Sequence, residues 1–235
     1  MPIAFVQNLG NLSTSSATSL SGTFGSSTTT GNFIALGSRV GATGRTVTGS
    51  DSNSNTYAQA KNQVNSTDGH EGFIHYAMNI TGGASHQCTI SISGAASTIR
   101  ITLHEYSGLA TSGALDQTNS AQGNSASLDS GNITTLVADE LLFGVGTSAG
   151  DTTFTVGTNF ANGQFSPSAS GSQRQAGENR IVSATGTYSA PFSIGGTLQW
   201  TCLVASFSIA SAALVDNYTG DTGMLIDDPF ETAAY

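Results

Sequence analysis

Ile99-Arg100-Ile101-Thr102-Leu103 sets an apolar side chain at every second position, the period of a half-buried β-strand. Carrying the same parity forward points Glu105 inward, where an unpaired carboxylate is costly. That acid is therefore expected to accept backbone or tyrosine hydrogen bonds at a strand end, or to be turned out by a bulge. Outward from this stretch, strand patterns recur over 3–7, 19–24, 33–40, 46–50, 73–80, 87–93, 126–133, 141–147, 154–156, 180–183 and 187–194. The run 198–209 is apolar on both parities, with Trp200, Cys202 and Val204 against Leu203, Ala205, Phe207 and Ile209, which suits a strand covered on both faces. Asp68-Gly69, Gly82-Gly83, Asn162-Gly163 and Gly195-Gly196 mark turns, and the two Gly-Gly pairs suggest hairpins. No segment sustains a 3.6-residue apolar stripe. The expectation is an all-β chain, an antiparallel β-sandwich, with polar stretches 111–127 and 157–177 as exposed end loops.

Composition narrows what such a scaffold does. Only 9% of the 235 residues are charged, lysine occurs once (Lys61), and the net charge is −9. Nucleic-acid binding needs clustered Lys/Arg to displace counterions, and the six basic residues are scattered; neither nucleic acid nor an anionic membrane is an expected partner. No run approaches the roughly 20 apolar residues of a spanning helix. The opening Met1-Pro2-Ile3-Ala4-Phe5-Val6 lacks the basic and apolar regions of a secretory signal and reads as a first strand, so synthesis in the cytoplasm is expected. Cys88 and Cys202 are too few for a disulfide framework. Buried reduced thiols are the leading reading, with a cross-sheet disulfide second.

Three strings invite a chemical reading. Gly146-Thr147-Ser148-Ala149-Gly150 matches the hydrolase G-x-S-x-G pattern, but a strand-like Phe154-Thr155-Val156 follows where a helix is required. His70 and His75 miss the i, i+4 spacing of a zinc-binding helix by one residue. His86 and His104 are expected on strand surfaces. Asp51-Ser52-Asn53-Ser54-Asn55-Thr56 alternates oxygen ligands like a calcium loop, yet lacks its glycine and terminal glutamate, and reads as an Asx-rich turn. No catalytic residues, metal or cofactor are expected, and the chain is not expected to be an enzyme.

From Ala212 the character changes. The segment 212–235 carries Asp216, Asp221, Asp227, Asp228 and Glu231 with no basic residue, interleaved with Met224, Leu225, Ile226, Phe230 and Tyr235. A purely solvated tail needs no such apolar groups. The chain is thus divided into a β-sandwich domain over 1–211 and an acidic, apolar C-terminal arm over 212–235. Met224, Leu225, Ile226, Asp227, Asp228, Phe230 and Tyr235 are its expected partner-docking residues.

Several strings in order, Asn53-Ser54-Asn55-Thr56-Tyr57, Tyr76-Ala77-Met78-Asn79-Ile80 with Gly82-Gly83, Glu105-Tyr106-Ser107-Gly108-Leu109, Leu115-Asp116 and Ala138-Asp139-Glu140-Leu141-Leu142-Phe143-Gly144, resemble a family of largely uncharacterised bacterial and phage β-sandwich proteins. The resemblance implies a jelly-roll-like sandwich of the kind found in virion-associated and cell-surface proteins, and transfers no active site. The expectation is a structural protein of a phage particle, a capsid decoration or tail-associated subunit, homo-oligomeric and docked on other virion subunits through its arm. The alternative is a surface adhesin or carbohydrate-binding module outside the cell, with Tyr57, Tyr106, Phe160 and Phe165 as the aromatic residues facing a ligand.

Overall fold

The computed structural model describes residues 1–12, 16–168 and 173–209, and every regular element within them is a strand. The first half holds β1 (Ala4–Leu12), β2 (Ser19–Thr23), β3 (Phe33–Val40), β4 (Val47–Asp51), β5 (Ala58–Val64), β6 (Glu71–Ala77), β7 (Gln87–Ile92) and β8 (Ile99–Ser107). The second holds β9 (Leu115–Asp129), β10 (Ile133–Thr134), β11 (Glu140–Ser148), β12 (Phe154–Thr155), β13 (Ala161–Phe165), β14 (Gln175–Val182), β15 (Thr187–Tyr188) and β16 (Pro191–Ser208). All pairings between these strands are antiparallel.

The two halves are wound alike. In the first, β1-β8-β3-β6-β5 form a large sheet and β2-β7-β4 a small one. The chain therefore passes back and forth between sheets, as in a jelly roll. In the second, β9 pairs β16, which leads to β11, β14 and β13. Adding eight to each strand number of the first large sheet gives the second. The small sheet is reduced there: β10 pairs β15, while β12 pairs β16 instead. The described strands thus form two jelly-roll halves, not one pair of sheets.

The large sheets face each other. Phe33, Ile74, Tyr76 and Tyr106 from the first meet Leu141, Phe143, Val145, Leu203 and Phe207 from the second in one buried cluster. Phe207 lies 4.7 Å from Phe33 and 5.0 Å from Tyr76, centroid to centroid. Burying each such side chain contributes about 1.5–3 kcal/mol. Toward the other end the same interlayer space is polar: Arg39 Nε donates to Ser148 O at 3.1 Å, and Gln175 Nε2 to Thr102 Oγ1 at 2.7 Å. Gly37 is required there, because a Cβ would come within 2.6 Å of Gln175 Nε2 and 2.7 Å of Val145 Cγ2. A second core, with Ile34, Leu36, Phe73, Cys88, Ile90, Ile101 and Leu103, fills the space under the small sheet of the first half.

Edges that would otherwise lie open are tied by side chains. Ser120 Oγ donates to Gln63 Oε1 at 2.8 Å and Ser66 N to Gln122 Oε1 at 2.6 Å, joining β9 to β5 and the residues after it. Across the other side Asn8 Nδ2 donates to Asn162 O at 3.0 Å, joining β1 to β13.

Several expectations are corrected. The stretch 111–127 is mostly strand β9, and 157–177 contains β13. Neither Gly-Gly pair makes a hairpin: β6 and β7 belong to different sheets, and Gly195-Gly196 sit in an irregularity of the single strand β16. The opening stretch is covered on both faces: Arg100, Thr102 and His104 are as buried as Ile99, Ile101 and Leu103. His86 is likewise buried. The arm expected over 212–235, with Met224, Leu225, Ile226, Asp227, Asp228, Phe230 and Tyr235, lies outside the described residues.

Candidate docking groove and buried polar clusters

The expected sites resolve into three kinds of place. Glu105, on β8, is fully buried and accepts from Thr29 N at 2.8 Å, Asn32 Nδ2 at 2.7 Å and Gln7 Nε2 at 2.7 Å. Its use is structural: one carboxylate gathers three donors from the segments beneath it. Ser148 ends β11 fully buried, its Oγ donating to Gly150 O at 2.7 Å. It sits on no nucleophile elbow.

His70 and His75 cannot share an ion. His70 immediately precedes β6 and His75 lies within it; five residues apart in extended chain, they face opposite sides of the sheet. His75 lies near Val47 O under the small sheet. His70 faces the second large sheet, with Nδ1 2.7 Å from Asp68 Oδ1 and Nε2 2.7 Å from Thr147 Oγ1. Acid, imidazole and hydroxyl in line have the order of a hydrolytic triad, an arrangement the sequence did not signal. His70 is 1% exposed and Thr147 0%, and Thr147 Oγ1 is also 2.6 Å from Thr201 Oγ1. Burial, followed by the charge of Arg39, pulls His70 down to about 4, so it is neutral at pH 7. The cluster pins two sheets together and has no room for a substrate.

The Asx-rich turn is the densest polar site. Asp51 Oδ1 accepts from Asn53 N and Asn55 N, both at 3.0 Å. Oδ2 accepts from Asn55 Nδ2 at 2.9 Å and Tyr57 Oη at 3.1 Å. Asn55 Oδ1 accepts from Thr81 N at 2.7 Å, fastening the turn to the β6–β7 connection. Antiparallel register sets Asp51 opposite Cys88, and His86 Nε2 stands 2.9 Å from Asp51 Oδ2. Burial works to raise the Asp51 carboxyl, but the Asn55 N–H, the Asn55 side chain and His86 outweigh it and hold the group below its ordinary range. Burial also pushes the Cys88 thiol up to about 12 and raises the Tyr57 phenol.

The four aromatic candidates do not converge. Tyr106 is fully buried in the inter-sheet core and Phe160 is 8% exposed in a cluster on the outer side of the second sheet, so neither ring is presented at the surface. Tyr57 is tied down by Asp51, and Phe165 packs beside Trp200 and Phe192.

An apolar groove was not read from the sequence. Met1, Pro2, Ile3, Ile181 and Ile209 with Asp139 line a space of about 450 Å³ at one end of the molecule. Ile181 is 45% exposed; Leu136 and Val137, just before Asp139, are 69% and 46% exposed. Ile209, the last described residue, is on the rim. Exposed large apolar groups gathered this way mark an interaction surface more often than chance. No family model, curated protein or solved structure matches this chain.

Proposed function

We propose that the protein is a non-enzymatic structural subunit of a phage particle, a capsid decoration or tail-associated component, which docks on a neighbouring copy through the segment 212–235. The apolar end groove carries the proposal. Ile209 lines it, and the sequence that follows carries Met224, Leu225, Ile226 and Phe230, apolar groups suited to such a groove. Four such side chains contribute about 1.5–3 kcal/mol each when buried, against roughly 1–2 kcal/mol of backbone entropy for each residue ordered. Gain and cost nearly balance over 224–230, so a single docking event is weak, and a multivalent particle supplies the avidity. The ordered strings that resemble virion-associated β-sandwich proteins support the same reading.

The test is the mass of the full-length chain by size-exclusion chromatography with light scattering over a concentration series. The wild type is expected to associate weakly, toward the high-concentration end of the series. Ile181→Asp in the groove and, separately, Leu225→Asp with Phe230→Asp in the arm are each expected to return it to monomer. A monomeric wild type, or association that both variants leave intact, refutes the proposal.

A further inference from the structure

We infer that Asp51, His86 and Cys88 form a closed binding site for a divalent transition metal of the zinc class, with Tyr57 Oη as the adjoining oxygen donor. The carboxylate oxygen, imidazole nitrogen and sulfur lie within 4.8 Å of one another. Tyr57 Oη bridges them, 3.1 Å from Asp51 Oδ2 and 3.2 Å from Cys88 Sγ. Tetrahedral zinc with ligand bonds of about 2.0–2.3 Å holds its donors roughly 3.3–3.7 Å apart, so small side-chain movements bring the cluster to that size. One nitrogen, one sulfur and carboxylate oxygen is a borderline-soft set, suited to zinc or cobalt and ill suited to magnesium or calcium.

His86 supplies the independent sign that a cation belongs there. Its ring is fully buried, and Nδ1 lies 2.6 Å from Thr28 Oγ1. Nε2 points at the cluster and is only 2.9 Å from Asp51 Oδ2, yet it makes no hydrogen bond of acceptable geometry. With the proton on Nδ1 and given to Thr28, a nitrogen lone pair and a carboxylate lone pair confront each other. With the proton on Nε2, it is aimed off the acceptor. A metal ion resolves both: Nε2 and Oδ2 each donate an electron pair to it, while Nδ1–H stays on Thr28 as the outer partner that orients a ligating histidine. The Cys88 thiol loses its proton to solvent as sulfur binds, so affinity rises with pH.

The site is closed. Asp51 and His86 side chains have no exposed surface, and Cys88 has none. Closure of this kind belongs to structural ions, since catalytic zinc keeps a position open. The ion would enter as the Asx-rich turn folds over β4 and β7, and exchange slowly afterwards.

The experiment uses full-length protein, without a metal-affinity tag, made in cells supplied with cobalt in place of zinc. Elemental analysis and native mass spectrometry are expected to find one ion per chain. Absorption is expected to show the near-ultraviolet band of thiolate-to-cobalt charge transfer with the intense visible bands of a tetrahedral ion. Cys88→Ser should abolish the near-ultraviolet band, Cys202→Ser should leave it intact, and Thr28→Val should weaken retention against a chelator roughly 10–100-fold. Metal-free wild type, or a charge-transfer band that survives Cys88→Ser, overturns the inference. Because the wild-type spectrum decides on its own, a variant that fails to fold does not shelter the idea.

Discussion

Glu178 offers the sharpest test of how this fold tolerates buried charge. The residue lies on β14 with no exposed surface; Oε2 accepts from Gly157 N at 2.7 Å, while Oε1 has no partner. Burial pushes the carboxyl from an ordinary 4.5 up to about 8, against the smaller downward pull of the Gly157 N–H. The folded protein therefore holds this proton more tightly than the unfolded chain. Stability from the group is full below pH 4.5 and is lost as pH rises through about 8. At about 1.36 kcal/mol per pKa unit, the loss between pH 5 and pH 8 is on the order of 3 kcal/mol. For a domain of this size that is roughly 6–12 °C in Tm. Glu178→Gln keeps an oxygen for Gly157 N and removes the titration. Its amide meets the space where Oε1 has no partner, a cost of about 1–3 kcal/mol that does not vary with pH. Thermal and urea unfolding of both proteins from pH 5 to pH 8, followed by the single tryptophan, gives the result. The stability of the variant relative to the wild type should climb by on the order of 3 kcal/mol across that range. Parallel curves would refute the reasoning. His70, His75 and His104, each brought down to about 4 chiefly by burial, act in the opposite sense. Their stability is present above pH 6.5 and lost as pH falls toward 4, in both proteins alike.

The remaining predictions concern the packing. Gly123 on β9 leaves room for Trp200: a Cβ there would sit 2.4 Å from Trp200 Cζ2. Gly123→Ala should cost about 1–3 kcal/mol by overpacking and shift the fluorescence of the only tryptophan; unchanged emission and stability would contradict the geometry. Both cysteines are unbonded and buried, Cys88 raised to about 12 and Cys202 raised well above its ordinary value, mainly by burial. Native protein should be silent to Ellman's reagent, and two thiols per chain should react in denaturant without reductant. A rapid native reaction would place at least one thiol at the surface.

What the sequence disclosed follows from where polar atoms sit. Strands with bulky apolar groups on alternate positions, such as β8, are readable because the pattern is imposed by a dry face. Glu105 was readable for the same reason, since parity alone turned it inward toward its three donors. Strands β5 and β9 were not. Ala58–Val64 and Leu115–Asp129 carry Gln, Asn and Ser on both faces, and they lie at sheet edges where they meet each other through Gln63, Ser120 and Gln122. Backbone ladders and side-chain amides hold them, and neither leaves an apolar signature. His104 misled for a related reason. Alternation implies one wet face, but here the polar face, with Arg100 and Thr102, is pressed against a second sheet that is polar in the same region.

The proposed metal site shows what only topology can supply. Asp51 and Cys88 meet because β4 lies beside β7 in the small sheet of the first half. The second half repeats the large-sheet order but not this pairing, because two-residue β12 joins β16 at Ser193 and Ile194. A duplicated winding would be expected to duplicate its chemistry, yet among the described residues the strand pair that builds the cluster exists in one half alone. The reduced small sheet of the second half packs Ile133 and Tyr188 against Leu142, Phe160, Val182 and Val204. Both small sheets thus rest on apolar packing, and the first carries in addition a buried polar knot whose histidine nitrogen lacks a partner. A single ion per chain, seated in the first half, is the stoichiometry this asymmetry demands.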